Sequence, residues 1–514
     1  MELLGLISIP LTWTLVAGCV LLIYLYGKKR NRFLSDYGIP GPTPDIYLGN
    51  LRQVVKMGVD LDNKWGQEFG DVYSVYLGGF PLINVHDPEI IKEILVKDFN
   101  RFSDRLIFRL NDYPIATGIF FETGATWKRL RNIISPTFSG NKLRIMCAKI
   151  DECAVTLTKN LAHAAENEET ITVKDYFGAF TMDVIASTAF GIDTDSQNNF
   201  DNIFITQAKK VFDNNVLQNP VMSMIMVFPS LMGIAKALGF TSFPKSTMNF
   251  FVSSLKEMIT MRKSEPKEEQ MRRVDFLQLM LDAEDNSNLQ DDEEETSQSQ
   301  PSGSQKPNKK MTTDEVLGQA FLFFIAGYET TASTLNFAAY SLATNPDVQE
   351  RLTQEVDTVL GEEAADYDNI GKLTYMDHVI TETLRLYPVV PGLSRAVSKT
   401  TVIKGWTFPK GSFISVPLVS LHRNADMFPE PNKFKPERWE NADFHQMGYI
   451  PFGQGPRMCI GMRLAQVEMK IGLARILQKV QFARLPDTPD ELRNFVALGT
   501  LSMKTPIKLK VVLR

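Results

Sequence analysis

The sequence predicts a mainly α-helical body with small β-sheets, preceded by an N-terminal transmembrane anchor helix. Three observations predict it. Residues 3–26 carry no charged side chain. After two short strand-like stretches, apolar residues recur with helical spacing along most of the chain. A hydrophobic fraction of 44% against 22% charged, over 514 residues, is globular and allows a large core.

The uncharged run, LLGLISIPLTWTLVAGCVLLIYLY, exceeds the ~20 residues that span a bilayer as a helix. Lys28, Lys29, Arg30 and Arg32 follow it, and only Glu2 precedes it. The positive-inside rule then places the amino terminus outside and everything after Lys28 in the cytosol. A cleaved signal peptide carries its basic residues ahead of a shorter apolar core, and a mitochondrial presequence is Arg-rich and amphipathic, so neither fits. A run apolar on all sides at a terminus is also unlike a core helix. Residues 1–27 are therefore read as an uncleaved anchor, 28–50 as a basic, Pro-rich linker, and 51–514 as one body.

In that body, 71–77 (DVYSVYL) and 81–86 (PLINVH) read as strands joined at two glycines. ATWKRLRNIISPTF begins an amphipathic helix that ends near Pro136, and 142 to about 166 reads as another. Segment 216–240 is Met-rich and broken by Pro220, Pro229 and Lys236. It is core, or else a surface that dips into the membrane interface or lines a pliable pocket. Residues 284–310 hold almost nothing apolar and read as a disordered polar loop within the body. Thr312 and Glu315 form a capping-box pattern opening a helix that runs to about Thr344, where Asn345-Pro346 ends it and caps the next. A further helix covers 374–387 and stops at Pro388.

A net charge of −5 argues against a nucleic-acid partner held by global charge. The four cysteines, Cys19, Cys147, Cys153 and Cys459, form no CxxC pair or Cys/His cluster, which argues against structural zinc. Cys147 and Cys153, on one helix, stand ~9 Å apart, too far to bridge. The body suits a reducing compartment.

Three constellations carry chemistry. Cys459 lies in FGQGPRMCIG, two residues after Arg457 and just before a strongly helical run. Gly455 and Gly461 allow tight turns there, and a thiolate at a helix start is favoured by unpaired N–H groups and the positive dipole end. Nucleophile, metal ligand and redox sensor are all open to such a sulfur, although an isolated cysteine is more often structural. The second is AGYETT, 326–331, inside an apolar helix. Either a bend there diverts a Thr hydroxyl and opens a polar pocket, or small residues mark a helix crossing. The third pairs Glu382 with Arg385 on one helix face, with Arg438 following in the turn FKPERW.

Together these residues resemble the cytochrome P450 superfamily and its microsomal, drug- and steroid-oxidising, 3A-like branch. The family's Cys loop, F-x-x-G-x-R-x-C-x-G, is met by Phe452, Gly455, Arg457, Cys459 and Gly461. Its A-G-x-x-T-T motif is matched by Ala326 to Thr331, its E-x-x-R by Glu382 and Arg385 with Arg438 completing the triad, and its W-x-x-x-R by Trp127 and Arg131. The resemblance covers essentially the whole chain. It implies the cytochrome P450 fold, with haem b (iron protoporphyrin IX) between the long central helix and the Cys-loop helix.

By that resemblance Cys459 is the axial thiolate and metal ligand. Arg457, Arg131 and Trp127, joined by Arg105 and Arg395, face the haem propionates. Phe452 packs beside the sulfur, Gly461 lets the loop lie against the porphyrin, and Ala326 belongs to the cofactor-binding set. Thr330 relays protons to bound dioxygen, with Glu329 as the acid. Glu382, Arg385 and Arg438 are structural. The implied enzyme is a monooxygenase that inserts one dioxygen atom into lipophilic small molecules, whether xenobiotic, steroid or fatty-acid-like. NADPH supplies electrons through NADPH–cytochrome P450 reductase, with cytochrome b5 as a further partner. The implied location is the endoplasmic reticulum membrane, single-pass, with a cytosolic catalytic domain. Phe108, Phe120, Phe121, Phe212 and Phe321 suit an apolar pocket. Lys128–Arg129 is a basic docking face for an acidic reductase or only a solvated helix face. Rival readings are a haem-thiolate isomerase acting on peroxides, a non-catalytic haem or lipid carrier, and a single-pass receptor. Thr330 argues against the first, since rearranging a peroxide needs no proton relay.

Overall fold

Helices dominate the chain, as the spacing of its apolar residues requires. The computed structural model describes residues 11–58, 60–108, 110, 112–212, 219–284, 310–492, 495–496 and 499–514. The helices that frame the site are α1 (Leu11–Asn31), α2 (Gly124–Ile134), α3 (Gly140–Glu166), α4 (Val173–Ile185), α5 (Pro220–Val227), α6 (Lys245–Ser264), α7 (Thr313–Thr344), α8 (Thr374–Leu386) and α9 (Met462–Leu477). The strands used below are β1 (Val72–Leu77), β2 (Phe80–Val85), β3 (Thr170–Thr172), β4 (Gly392–Ala396), β5 (Phe413–Pro417), β6 (Val480–Ala483) and β7 (Lys508–Leu513).

One sheet runs β1-β2-β5-β4. Leu82 of β2 lies opposite Phe413 in a parallel pair, and Arg395 of β4 lies opposite Ile414 in an antiparallel one. A second sheet, β3-β7-β6, is antiparallel throughout. The two predicted strands are β1 and β2, turning at Gly78 in a left-handed conformation (φ 60°). A side chain at Gly78 would meet the Met226 carbonyl at 2.4 Å, because α5 lies across this turn and Gly79 N–H donates to Met226 O at 2.6 Å. The Met-rich segment thus divides by face. Met222, Ile225 and Met226 are buried, while Met224, Ile234, Leu238 and Phe240 are exposed. Its first residues, 216–218, lie outside the described residues.

The capping box is fully formed. Thr312 Oγ1 accepts from Glu315 N–H at 3.2 Å, and the Glu315 carboxylate accepts from Thr312 N–H at 3.0 Å. From there α7 runs 32 residues, buried on nearly every side, as befits a central helix. It packs most extensively on α4 and also on α6, α8 and α9. It ends at Asn345, as predicted, and Asn345 and Pro346 stand at the N-cap and first position of the next helix, but the Asn345 side chain makes no capping bond there. The Asn345 amide instead turns back to the Ser341 carbonyl at 2.8 Å.

The anchor segment is described from Leu11 as α1, its apolar side chains exposed. Among the described residues no helix is long and apolar enough to cross a membrane, and residues 3–10 of the predicted span lie outside them. The stem of α1 is fixed to the body. A side chain at Gly27 would come within 2.6 Å of Ile46, and Arg30 donates to the Val227, Ile46 and Tyr47 carbonyls at 2.7, 2.9 and 3.1 Å. Of the predicted polar loop, 285–309 lie outside the described residues.

Candidate functional site

Cys459 sits at the head of α9, in a loop closed by its own backbone. Cys459 N–H donates to the Phe452 carbonyl at 2.9 Å, which ties the two backbones together. Gly455 is required: at φ 75° a side chain there would collide with the Leu95 carbonyl at 2.0 Å. Gly461 is not held in the same way. Its φ of −88° suits any residue, and its missing side chain leaves only ordinary contact distance to Phe138. The thiol is solvent-accessible, yet protein surrounds it. Both hold if it opens into an internal space. Burial pushes its pKa up, and the Gly461 N–H, Arg131 and Arg105 only partly offset this. The thiolate that the sequence favoured at a helix start is therefore disfavoured without a further partner.

A ring of arginines meets at this space. Arg457 is anchored to backbone: Nε donates to Ser103 O at 2.8 Å and Nη2 to Glu122 O at 2.8 Å, with the guanidinium 4.3 Å above the Trp127 ring. Trp127 accordingly works as the aromatic floor of that cation. Arg105 donates to Phe120 O at 3.2 Å and lies 4.5 Å over its ring. Arg395 projects from β4, where its Nε is buried without a hydrogen-bond partner. Burial and repulsion from neighbouring arginines press Arg105 down to about 9 and Arg395 to about 10. Burial also lowers Arg131, while the Cys459 sulfur partly restores it, so that cation lies near the thiol. The carboxylate recorded beside the ring is Asp104, 3.8 Å from Arg457 and partly exposed. Clustered buried cations of one sign, one with an orphaned donor, are what a dianionic group would neutralise. A haem with two propionates beside a cysteine fits these residues.

α7, buried along most of its length, is exposed at Ala326 in mid-helix and partly so at Leu322, Gly327 and Thr330. α7 continues as α-helix through this opening, with the Thr330 hydroxyl bonded back to the Ala326 carbonyl at 2.8 Å. The helix-crossing alternative holds for Gly327, where a side chain would press on Ile185 of α4 at 3.0 Å. Glu329 does not point toward the Thr330 hydroxyl. It is buried against α4, accepting from Lys174 Nζ at 2.6 Å and Ser333 Oγ at 3.2 Å.

Among the predicted pocket residues, Phe120 is exposed and meets Phe121 edge-to-face at 5.2 Å, and Phe121 in turn reaches Phe243. Phe108 packs on Phe80, and Phe212 lies near Tyr328. Phe321 is core, wedged between Phe243 and Phe251. Arg129 is not a free docking charge, because it pairs with Glu315 at the capping box; Lys128 remains exposed.

Two residues were missed. Gln319, fully buried, clamps the loop above the site: its amide oxygen accepts from Ile119 N–H at 2.7 Å and its nitrogen donates to Thr117 O at 2.8 Å. A side-chain amide among the apolar residues of α7 was the available signal. The other is His422, fully buried, whose ring accepts from Ile450 N–H at 3.1 Å.

Beneath the loop, Glu382 is the buried centre of a network. It receives Arg385 in two bonds of 2.8 and 2.9 Å, Arg438 Nε at 3.0 Å, Trp439 Nε1 at 3.0 Å and Lys435 N–H at 2.9 Å. The predicted trio is brought together away from the thiol.

This fold and site have known counterparts. The Cytochrome P450 family model matches residues 39–511. Cytochrome P450 3A29 of Sus scrofa is 39% identical over 98% of this chain and 97% of its own length. Cytochrome P450 3A7 and 3A5 of Homo sapiens are 38% and 37% identical, each over 97% of this chain and 96% of their own length. The chain belongs to the cytochrome P450 family. It is a haem-binding monooxygenase, similar to the 3A members of that family along nearly its whole length.

Proposed function

We propose that Cys459 would ligate the iron of haem b, and that the chain so loaded would hydroxylate lipophilic small molecules with electrons from NADPH delivered by a reductase. The observation that carries this reading is the opening of Cys459 and mid-helix Ala326 out of an otherwise buried core, ringed by arginines with an orphaned donor. Bound there, haem b supplies dioxygen-activating iron, and a thiolate ligand favours O–O cleavage.

The chain's own residues supply the rest. Arg105, Arg395 and Arg457, with Arg131 nearer the sulfur, hold the propionates. Thr330 Oγ1, now bonded to Ala326 O, holds a water at the oxygen-binding face. Lys174 reaches solvent while its partner Glu329 is 4% exposed, so the pair links surface to interior, with Glu329 Oε1 accepting from Lys174 and Ser333. Phe120 and Phe121 offer an apolar, aromatic wall that selects lipophilic substrates. Residues 1–27 anchor the chain in the endoplasmic reticulum membrane, with the catalytic domain, 51–514, in the cytosol. The exposed Met224, Ile234, Leu238 and Phe240 form a second contact with the membrane interface. Exposed Lys128 is left for the reductase or cytochrome b5.

The test supplies reductase, NADPH and isotopically labelled dioxygen with a panel of lipophiles. One labelled oxygen atom is expected in product, and Thr330→Ala is expected to divert NADPH electrons to peroxide. Product formed only from an added hydroperoxide, without dioxygen or NADPH, would establish the isomerase reading instead.

A further inference from the structure

His422 follows the short helix Leu418–Leu421 and is fully buried. Its two ends engage different parts of the protein. Its backbone carbonyl accepts from Arg385 Nη1 at 3.0 Å, which attaches it to the network around Glu382. Its ring Nε2 accepts from Ile450 N–H at 3.1 Å. Ile450 stands at the approach to the Cys loop: its carbonyl accepts from Gly453 N–H at 2.8 Å, and the next link is Cys459 N–H on Phe452 O at 2.9 Å. The ring also packs 5.3 Å from Tyr449, whose hydroxyl donates to Thr381 O on α8 at 3.1 Å.

Chemistry restricts what can sit here. An acceptor facing a backbone N–H must keep its lone pair, so Nε2 is unprotonated and the ring neutral. With that acceptor gone, the Ile450 N–H becomes a buried donor without a partner. Glu382, Arg385 and Arg438 touch neither the thiol nor its loop through their own side chains in the bonds described. The histidine joins the two by hydrogen bonds at both of its ends, beside a packing contact of Trp439 on Tyr449 at 4.7 Å.

We propose that His422 is a positioning residue that transmits the buried Glu382–Arg385–Arg438 network to the Cys loop, its ring holding Ile450 and through it the placement of Cys459. This rests on the reading of Cys459 as the haem ligand. It gives the network a role toward the thiolate beyond stability alone.

The test uses the full-length holoenzyme with His422→Leu, which removes the acceptor, and His422→Gln, whose amide oxygen can take the place of Nε2. Two readouts are followed: amide hydrogen exchange across 449–453, and the share of the reduced, carbon-monoxide-bound protein showing the red-shifted thiolate band. In His422→Leu, exchange should quicken about tenfold or more and the thiolate share should fall. His422→Gln should restore both. Wild-type exchange and band in His422→Leu, or a Gln variant no better than Leu, would overturn the proposal. Should the Leu variant not fold, His422→Asn, too short to reach Ile450, takes its place with the same expectations. A wild-type holoenzyme lacking the thiolate band would sink the haem-thiolate reading separately, while the exchange arm would still judge the link to Ile450.

Discussion

Glu382 shows how burial changes the worth of an ordinary residue pair. A Glu and an Arg three apart on a helix are common, and on a surface they contribute little. Here both are fully buried, and every Glu382 oxygen contact is made by a cation or an N–H donor. Removing the carboxylate leaves Arg385 and Arg438 uncompensated. Glu382→Ala should therefore cost about 3–5 kcal/mol in unfolding free energy, read from a denaturant midpoint; a midpoint equal to wild type would contradict the network's weight. His422 is the other residue whose state burial decides. Burial first, then the positive charges of Arg385 and Arg423, press its pKa from 6.5 down to about 3. The unfolded chain takes up a proton near pH 6.5 and the folded one only near 3. Its contribution is full above about 6.5 and is lost as the pH falls through that window. Wild-type stability should decline more steeply than that of His422→Gln between pH 7 and 4, and parallel pH profiles would refute this.

At the scale of elements, what the sequence revealed was local. The capping box of α7, the β1–β2 turn at Gly78-Gly79 and the shared face of Glu382 and Arg385 are each set by residues a few positions apart. Long-range partners were not legible. Nothing local ties Arg129 to Glu315, Lys174 to Glu329 or Gln319 to the loop at 117–119, because those meetings follow from how helices pack. For the same reason Glu329 was expected beside Thr330 and instead faces α4. The α1 stem is a further case. Arg30 belongs to a basic run that reads only as a topology signal, yet it binds carbonyls of the linker and of α5. Arg30→Ala should speed amide exchange around 28–34 and 226–228 while leaving α7 unchanged. Equal exchange in both proteins would show that the stem is not held this way.

Across the whole molecule, motif residues far apart in sequence meet: α9 packs on α7, and Arg105 and Arg131 lie by the Cys459 sulfur at the head of α9, beside the internal space into which that sulfur opens. A mainly helical body with small sheets was readable from the spacing of apolar residues, and the Cys loop stood out because its glycines, arginine and cysteine form a compact pattern. The wall that would select a substrate was not readable, since it is assembled from aromatic residues of several segments, and Phe321, one of those expected there, proved to be core. The central claim is that Cys459 presents its sulfur to haem iron in that space. The optical spectrum of the reduced, carbon-monoxide-bound protein tests it most directly, wild type beside Cys459→His. The account predicts a red-shifted thiolate band in the wild type that disappears in the variant; a wild type without that band, or a variant that keeps it, would contradict the account.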